Sequence, residues 1–293
     1  MSTQVPALLD GLVDDAAVFP PGSAALPDAV AAHRRHRDAW YAGLVGPLLV
    51  PASKLPELPA LLAADERIAL GVIADVPIGR LDGMRAGVDR RIRVRQVEAA
   101  VARRGEDPQP GLAELVDLVR RERDTASGDD GQGLDVYAEI PLTFGLMGAL
   151  DRLAAIRAEG LPIAAKFRTG GLAAELFPTP IELAAVICGC RDRALPFKLT
   201  AGLHNALRHL EPETGLVHHG FVNVLAATLA AAQGAGLEQV AELLTVTDPR
   251  PLLEAVEGRL GRPRPLWVGY GSCSIGEPLA DLARLGLLTG PRT

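Results

Sequence analysis

The sequence predicts an α/β fold, a single (β/α)8 barrel of the TIM type that spans residues 1–293. The length of 293 residues lies within the range of about 200 to 400 that such barrels occupy. Short apolar runs alternate with longer helical patterns, which is typical of parallel strands joined by crossover helices. The strand-and-helix unit recurs eight times, and eight units close a barrel. A doubly wound open sheet is the alternative, but no GxGxxG or GxxxxGK[ST] motif follows any strand to support a nucleotide-binding version.

The apolar runs give the predicted strands in order: DAAVFPP (15–21), GPLLVP (46–51), RIALGVIADV (67–76), RIRVRQVEA (91–99), LDVYAEIPL (134–142), LPIAAKFRT (161–169), LPFKLTA (195–201) and PLWVGYGS (265–272). The clearest helical patterns cover 24–41, 110–124, 146–159, 179–192 and 277–287. The segment 203–264, between the seventh and eighth strands, is longer than one helix requires. It contains HGFVNVLAATLAAA, which predicts a further buried helix or a strand–helix pair, and we expect an insertion or cap there.

Composition excludes several classes of function. Hydrophobic residues make up 48% and charged residues 23%, which is ordinary for a soluble enzyme, and the net charge is −6. There is no basic tract for nucleic acid and no apolar run long enough to span a membrane. Three cysteines without a CxxC motif predict neither a disulfide framework nor a thiolate zinc site. Because MSTQVPALLDG lacks the features of a signal peptide, we expect a cytoplasmic protein, and the apolar terminal helices are compatible with a homo-oligomer.

Lysine is used sparingly, and its placement is informative. Only three of the 30 basic residues are lysines, and two of them, Lys166 in AAKFRTGG and Lys198 in LPFKLTAG, lie inside apolar segments. The third, Lys54, follows the second strand on a turn and is expected to be solvated. Arginine cannot lose its proton in a protein, whereas lysine can. The pattern therefore indicates that these two strands need an amine rather than any cation.

Strand alternation predicts where these side chains point. If Ile163, Ala165 and Phe167 face the helices, then Lys166 points into the barrel, and the same alternation directs Lys198 inward on the next strand. Both lie near the carboxyl ends of their strands, where barrel active sites are built. Glu139 shares a face with Tyr137 and is expected in the same cavity, whereas the direction of Glu98, at the end of the fourth strand, is left open by the pattern.

Two neighbouring buried amines predict a particular chemistry. Each disfavours protonation of the other, and burial acts in the same direction, so we expect a lowered lysine pKa and nitrogens within about 6 Å of one another facing a pocket that solvent can reach. A neutral lysine adds to a carbonyl, and the resulting iminium withdraws electrons so that an adjacent C–H or C–C bond can break. Glu98 or Glu139 would carry the protons. The alternative interpretation is a buried network of ion pairs among Lys166, Arg168, Lys198 and Glu139.

These segments resemble the deoxyribose-phosphate aldolase family, which are Schiff-base aldolases on a single barrel. The resemblance is carried by KFRTGG at the end of the sixth strand, KLTAG at the end of the seventh, VYAEIPL in the fifth, and VGYGSCSIGEPLADLARLGLL at the end of the chain. It implies that Lys166 forms the Schiff base and that Lys198 lowers its pKa. The family's acid/base carboxylate lies on the fourth strand, which suggests Glu98, although the family residue is an aspartate.

The resemblance also implies a substrate site, in which the chain departs from the family. The family binds phosphate through glycine-rich turns; here the first turn reads Ala201-Gly202-Leu203-His204, whereas the second keeps glycines and serines that include Gly271 and Ser272. We expect a small carbonyl substrate, either neutral or anionic, and no cofactor. The residues expected to contact it are Arg168, Thr169, Gly170, Thr200, His204, Gly271 and Ser272.

Two other functions remain open. One is a metal-assisted barrel lyase that uses Glu98, Glu139 and His204, although no metal-binding spacing supports a site. The other is a small-molecule-binding barrel without catalysis. Asp15, in the first strand, could reach the mouth of the barrel, but a role as an N-terminal cap or at the surface is favoured.

Overall fold

Eight parallel strands close into a barrel in the computed structural model of the protein, which describes residues 5–82, 87–125 and 133–290. Residues 1–4, the start of the N-terminal segment MSTQVPALLDG, lie outside these ranges. The barrel strands are β1 (Val13–Asp15), β2 (Val45–Pro51), β3 (Ile68–Ile73), β4 (Ile92–Ala100), β5 (Asp135–Glu139), β6 (Ile163–Arg168), β7 (Phe197–Thr200) and β10 (Trp267–Ser272). Each pairs in parallel with its sequence neighbour, and β10 closes the ring between β7 and β1. The predicted TIM-barrel fold is confirmed.

Helices cover the outside of the barrel. They are α1 (Leu26–Asp38), α2 (Gln109–Thr125), α3 (Leu146–Ala158), α4 (Pro180–Asp192), α5 (Phe221–Ala232), α6 (Leu237–Thr245), α7 (Pro249–Glu257) and α8 (Gly276–Arg284). Short 3-10 segments lie at Ala7–Leu9, Ala42–Leu44, Ala52–Leu61, Ile78–Leu81 and Ala174–Leu176. The crossover from β2 to β3 is the 3-10 segment Ala52–Leu61, which contains Pro56 and Pro59. Because proline lacks the amide donor that an α-helix requires, this sequence does not continue as an α-helix. No helix of the described ranges is both long and apolar enough to cross a membrane.

The first strand lies earlier than the sequence pattern predicts. The strand is Val13–Asp15, whereas most of DAAVFPP (15–21) forms the turn that follows it. The pattern was misleading because the strand has only 3 residues, two of them acidic, and the stronger apolar signal belongs to the turn. This correction moves Asp14 from just before the predicted strand to the middle of the observed one.

The long segment between β7 and β10 contains a hairpin and three helices. The hairpin pairs β8 (His209–Leu210) with β9 (Val217–His218), and His218 Nδ1 lies 3.3 Å from the carbonyl oxygen of Gly202 in the turn after β7. Helix α5 supplies the predicted buried helix, because its residues from Phe221 to Leu229 are almost fully inaccessible to solvent. Helices α6 and α7 pack on α5, which explains how a helix that is apolar on all sides is covered.

Candidate active site

The two lysines lie side by side inside the barrel. Lys166 of β6 and Lys198 of β7 are direct partners in the parallel register, and their side chains are almost completely buried. The flanking residues Ala165, Phe167 and Leu199 face the helices and are fully buried in the apolar layer. The alternation of apolar and basic residues in these strands thus produces a barrel interior with two adjacent amines.

Three carboxylates surround the amines. Glu98 bridges them, since one oxygen lies 2.7 Å from Lys166 Nζ and the other lies 2.5 Å from Lys198 Nζ. Glu139 contacts Lys166 Nζ at 2.8 Å, and Asp14 contacts Lys198 Nζ directly. Glu98 therefore points inward, which decides the direction that the sequence pattern left open. With two amines and three acids, the cluster contains the elements of the buried ion-pair network that sequence analysis named as the alternative.

Two uncharged side chains complete the inner wall. The Gln96 amide nitrogen donates to Asp14 at 2.7 Å and to Glu98 at 3.0 Å, which ties the two acids together. The Tyr137 ring lies below Lys198, with Nζ 5.0 Å from the ring centroid. At this distance the ring face attracts the ammonium group. Lys198 thus contacts two carboxylates and one ring face, and at 1% exposure it is slightly less accessible than Lys166 at 3%.

Glycines on the other side of the barrel make room for the cluster. A Cβ atom added to Gly46 would lie 1.9 Å from Asp14 Oδ1, and one added to Gly71 would lie 2.7 Å from the Gln96 amide nitrogen. Gly271 is the register partner of Asp14 on β10. Any larger residue at Gly46 or Gly71 would displace the polar groups that hold the lysines.

The electrostatic balance is opposite to the expectation from two isolated amines. Burial lowers the pKa of Lys166, but Glu139 and Glu98 raise it by more, so that it lies above its ordinary value. Burial likewise opposes protonation of Lys198, but Asp14 and Glu98 raise its pKa above the usual range. The prediction of a lowered lysine pKa was wrong because it omitted the acids that pair with both amines.

The acids respond in different ways. Burial alone would raise the pKa of Glu98, but Lys166 and Lys198 lower it to about 2. The pKa of Glu139 is also lowered, since Lys166 and Arg168 outweigh the effect of its burial. Burial raises the pKa of Asp14 despite its contact with Lys198. Asp14 is therefore the acid of the cluster that most readily accepts a proton.

The ends of β6 and β7 are locked together above the lysines. The Thr169 hydroxyl donates to the carbonyl oxygen of Ala201 at 2.5 Å, and the Thr169 amide donates to that of Thr200 at 2.9 Å. A Cβ atom on Gly170 would lie 2.8 Å from the Cα of Gly202. In this structure Thr169 and Gly170 hold the two strand ends in contact, and Thr200 supplies a backbone acceptor.

A cavity of about 290 Å³ opens at the carboxyl ends of β4, β5 and β6 and reaches the cluster at Glu139. Glu139 and Arg168 form part of its wall, and Arg168 Nε lies 3.3 Å from Glu139 Oε1. Lys166 lies behind Glu139 and is only 3% exposed, so a ligand in the cavity meets the Glu139–Arg168 pair first. This differs from the expectation of amines that open directly onto the pocket.

A larger cavity of about 990 Å³ lies at the opposite end, where it is lined by residues at the starts of β2, β3 and β5. It reaches Gly46 and Gln96, which lie behind Asp14. The smaller cavity is the candidate substrate site because Glu139, in its wall, contacts Lys166 and because catalytic groups of barrels lie at the carboxyl ends of the strands.

The serines of the turn after β10 bond mainly within the turn. The Ser272 hydroxyl donates to the carbonyl oxygen of Ser274 at 2.7 Å, and Ser274 Oγ accepts from the amide of Glu277 at 3.3 Å. His204 Nδ1 lies 3.2 Å from Glu277 and 3.7 Å from Cys273 Sγ. His204, in the turn after β7, therefore contacts the turn after β10, and its described contacts are with Glu277 and Cys273 rather than with Glu98 or Glu139.

Sequence reasoning missed Asp14 and Gln96. Asp14 was hidden by the misplaced first strand, and the only signal was the pair of aspartates at 14–15. Asp15, expected as a cap or at the surface, is 2% exposed and lies 3.1 Å from His33 Nδ1. Within the described ranges, no group of three or more His, Cys, Asp and Glu side chains is arranged to hold a metal ion.

Comparisons of the chain with protein-family models, with curated proteins and with solved structures find no match. The barrel fold and the geometry of the lysine cluster are therefore the basis for assigning a function.

Proposed function

We propose that the protein is an enzyme in which Lys166 forms a Schiff base with a small aldehyde or ketone, and that it makes or breaks a carbon–carbon bond next to the former carbonyl. The observation that carries this proposal is the contact of Lys166 Nζ with two carboxylates, Glu98 at 2.7 Å and Glu139 at 2.8 Å, at the end of the barrel where a cavity opens. The resemblance to Schiff-base aldolases supports the same assignment of roles.

The raised pKa of Lys166 is compatible with this chemistry. The ammonium group first gives a proton to Glu139 or Glu98, and the neutral amine attacks the carbonyl carbon. The proton then returns to the oxygen, and water leaves as the iminium forms. Ammonium and carbonyl become iminium and water with no change in charge, so the carboxylates that stabilise the ammonium also stabilise the iminium.

The iminium accepts the electron pair of the bond that breaks. A substrate hydroxyl next to that bond loses its proton to a carboxylate, the C–C bond breaks, and the enamine that forms is protonated on carbon and hydrolysed. Of the acids in the cluster, Glu139 is the one that lines the cavity. Lys198, Asp14 and Gln96 hold Glu98 in place and set its charge.

Reductive trapping tests the proposal. Incubation with acetaldehyde and cyanoborohydride should leave a stable alkyl adduct on Lys166, located by peptide mass spectrometry. The chain provides its own control, since Lys54 and Lys198 are its only other lysines. A Lys54→Met variant should be trapped like the wild type, and Lys166→Met should not be trapped at this position. An adduct on Lys54 that equals or exceeds the adduct on Lys166 would refute the proposal.

A second candidate is a barrel that binds a small molecule without reacting with it. The closed ion-pair network and the 3% exposure of Lys166 favour it. A ligand that raises the melting temperature and leaves no adduct under reducing conditions would support this candidate.

A further inference from the structure

Two arginines border the mouth cavity on the side of β4. Arg103 and Arg104 lie in the loop that follows this strand, which also carries Glu98. Both side chains are exposed and line the cavity of about 290 Å³. The cavity therefore has Glu139 next to the reacting lysine on one wall and two guanidinium groups on another.

The partners of the charged groups in the lining decide what the cavity can bind. Glu139 is engaged by the cluster, and Glu182 accepts from the amide and the hydroxyl of the helix cap at 2.7 Å each. Among the described residues, the side chains of Arg103, Arg104 and Glu175 make no hydrogen bond or ion pair. Arg104 lies close enough to Glu182 to contribute to the lowered pKa of that carboxyl, and the lining as a whole holds three arginines and three glutamates. Arg103 and Arg104 nevertheless present exposed guanidinium donors that an anionic ligand in the cavity can reach.

The size of the cavity limits the ligand. About 290 Å³ corresponds to roughly ten water molecules at about 30 Å³ each, so a ligand of about that many non-hydrogen atoms fills it. A guanidinium group offers a planar pair of donors that matches a carboxylate. The turn after β10 is less suited to an anion, because its Ser272 hydroxyl is already bonded within the turn and Glu277 lies beside it.

We propose that the substrate is a small carbonyl compound that carries a carboxylate, bound by Arg103 and Arg104 with its carbonyl directed past Glu139 to Lys166. This inference rests on the proposed function, since it takes the same cavity as the route to the amine. It assigns the specificity of the site to the loop after β4 and not to the glycine-containing turns after β7 and β10.

The test compares three probes in the trapping reaction: acetaldehyde, pyruvate and glycolaldehyde phosphate. In the Arg103→Ala/Arg104→Ala variant, the half-saturating concentration of pyruvate should rise at least about tenfold, since the loss of a single charge-assisted hydrogen bond already costs about that much. The rise for acetaldehyde, which has no anionic group, should be much smaller. Glu175→Gln removes the opposing charge and should lower the half-saturating concentration of pyruvate. Arg262→Ala, at an exposed position before β10, is the matched control.

Two trapping results overturn the inference. One is an equal change for pyruvate and acetaldehyde, and the other is a larger change for glycolaldehyde phosphate than for pyruvate. If no probe forms an adduct, the proposed function fails. The arginine site is then tested separately by the stabilisation that lactate gives, since lactate has the carboxylate but no aldehyde or ketone group. Stabilisation of the wild type by lactate that is lost in the double variant supports the site, and equal stabilisation of both proteins refutes it.

Discussion

Replacing Glu98 with glutamine tests the electrostatic description of the cluster. The substitution keeps the shape of the side chain and removes the negative charge that lies between Lys166 and Lys198. The pKa of Glu98 is lowered from 4.5 to about 2, and each unit corresponds to about 1.4 kcal/mol. The surroundings therefore favour the ionised form by about 3 kcal/mol, and the free energy of unfolding should fall by about this amount at pH 7. This agrees with the cost of about 3–5 kcal/mol for breaking a buried ion pair.

The sign of the pH dependence follows from the direction of the shift. Because the folded pKa is lower than the unfolded one, the stabilisation is complete above pH 4.5 and is lost as the pH falls toward about 2. The difference between the wild type and Glu98→Gln should therefore be largest near pH 7 and should shrink below pH 4.5. Loss of the Glu98 charge also lowers the pKa of both lysines, so trapping of Lys166 should extend to lower pH in the variant.

Urea unfolding between pH 3 and 8, together with trapping over the same range, measures both effects. Glu57→Gln, at an exposed position, is the control and should leave both curves unchanged. The reasoning is refuted if Glu98→Gln costs less than about 1 kcal/mol at pH 7, or if its cost is the same at pH 3 and pH 7.

Three further outcomes are expected. Gly46→Ala places a Cβ atom 1.9 Å from Asp14 Oδ1, so it should destabilise the fold by about 1–3 kcal/mol in urea unfolding, whereas Gly258→Ala, with no atom within 4 Å, should not. Since the pKa of Lys166 is raised, the rate of trapping by the wild type should still be increasing with pH at pH 9, and a plateau below pH 8 would contradict the raised pKa. Lys166→Arg keeps a cation and removes the amine, so it should abolish the adduct at this position while the circular dichroism spectrum stays native. A persistent adduct on the same peptide would contradict the assignment of Lys166.

The fold was predictable from the sequence where periodicity was strong. In β6 and β7 every second residue is apolar and helix-facing, and this alternation by itself directs both lysines into the barrel. The first strand was not predictable in the same way, because VDD is short and acidic and its burial comes from its neighbours β10 and β2. The local sequence pattern of a strand cannot indicate that its side chains are buried when the burial arises only from closure of the barrel.

The partners of the lysines were less accessible to sequence reasoning. Asp14 and Lys198 are 184 residues apart and meet because β10 joins the two ends of the barrel. The pKa of each lysine depends on such contacts, so considering the two amines alone gave the wrong sign. The space for the cluster comes from Gly46 and Gly71, whose importance is visible only when Asp14 and Gln96 of the neighbouring strands are in place.

The cluster is not the arrangement that stability alone would favour. Removing charges from water costs several kcal/mol per ion, and replacing a buried ion pair by apolar residues of similar volume is often neutral or stabilising by about 1–4 kcal/mol. This barrel nevertheless buries Asp14, Glu98, Lys166 and Lys198 almost completely and keeps glycine opposite them. The four groups together are neutral, which limits the cost, but neutrality does not require amines. In a chain whose other basic residues are arginine with the single exception of Lys54, lysine at both positions supplies a nitrogen able to lose its proton, which the proposed Schiff-base chemistry requires.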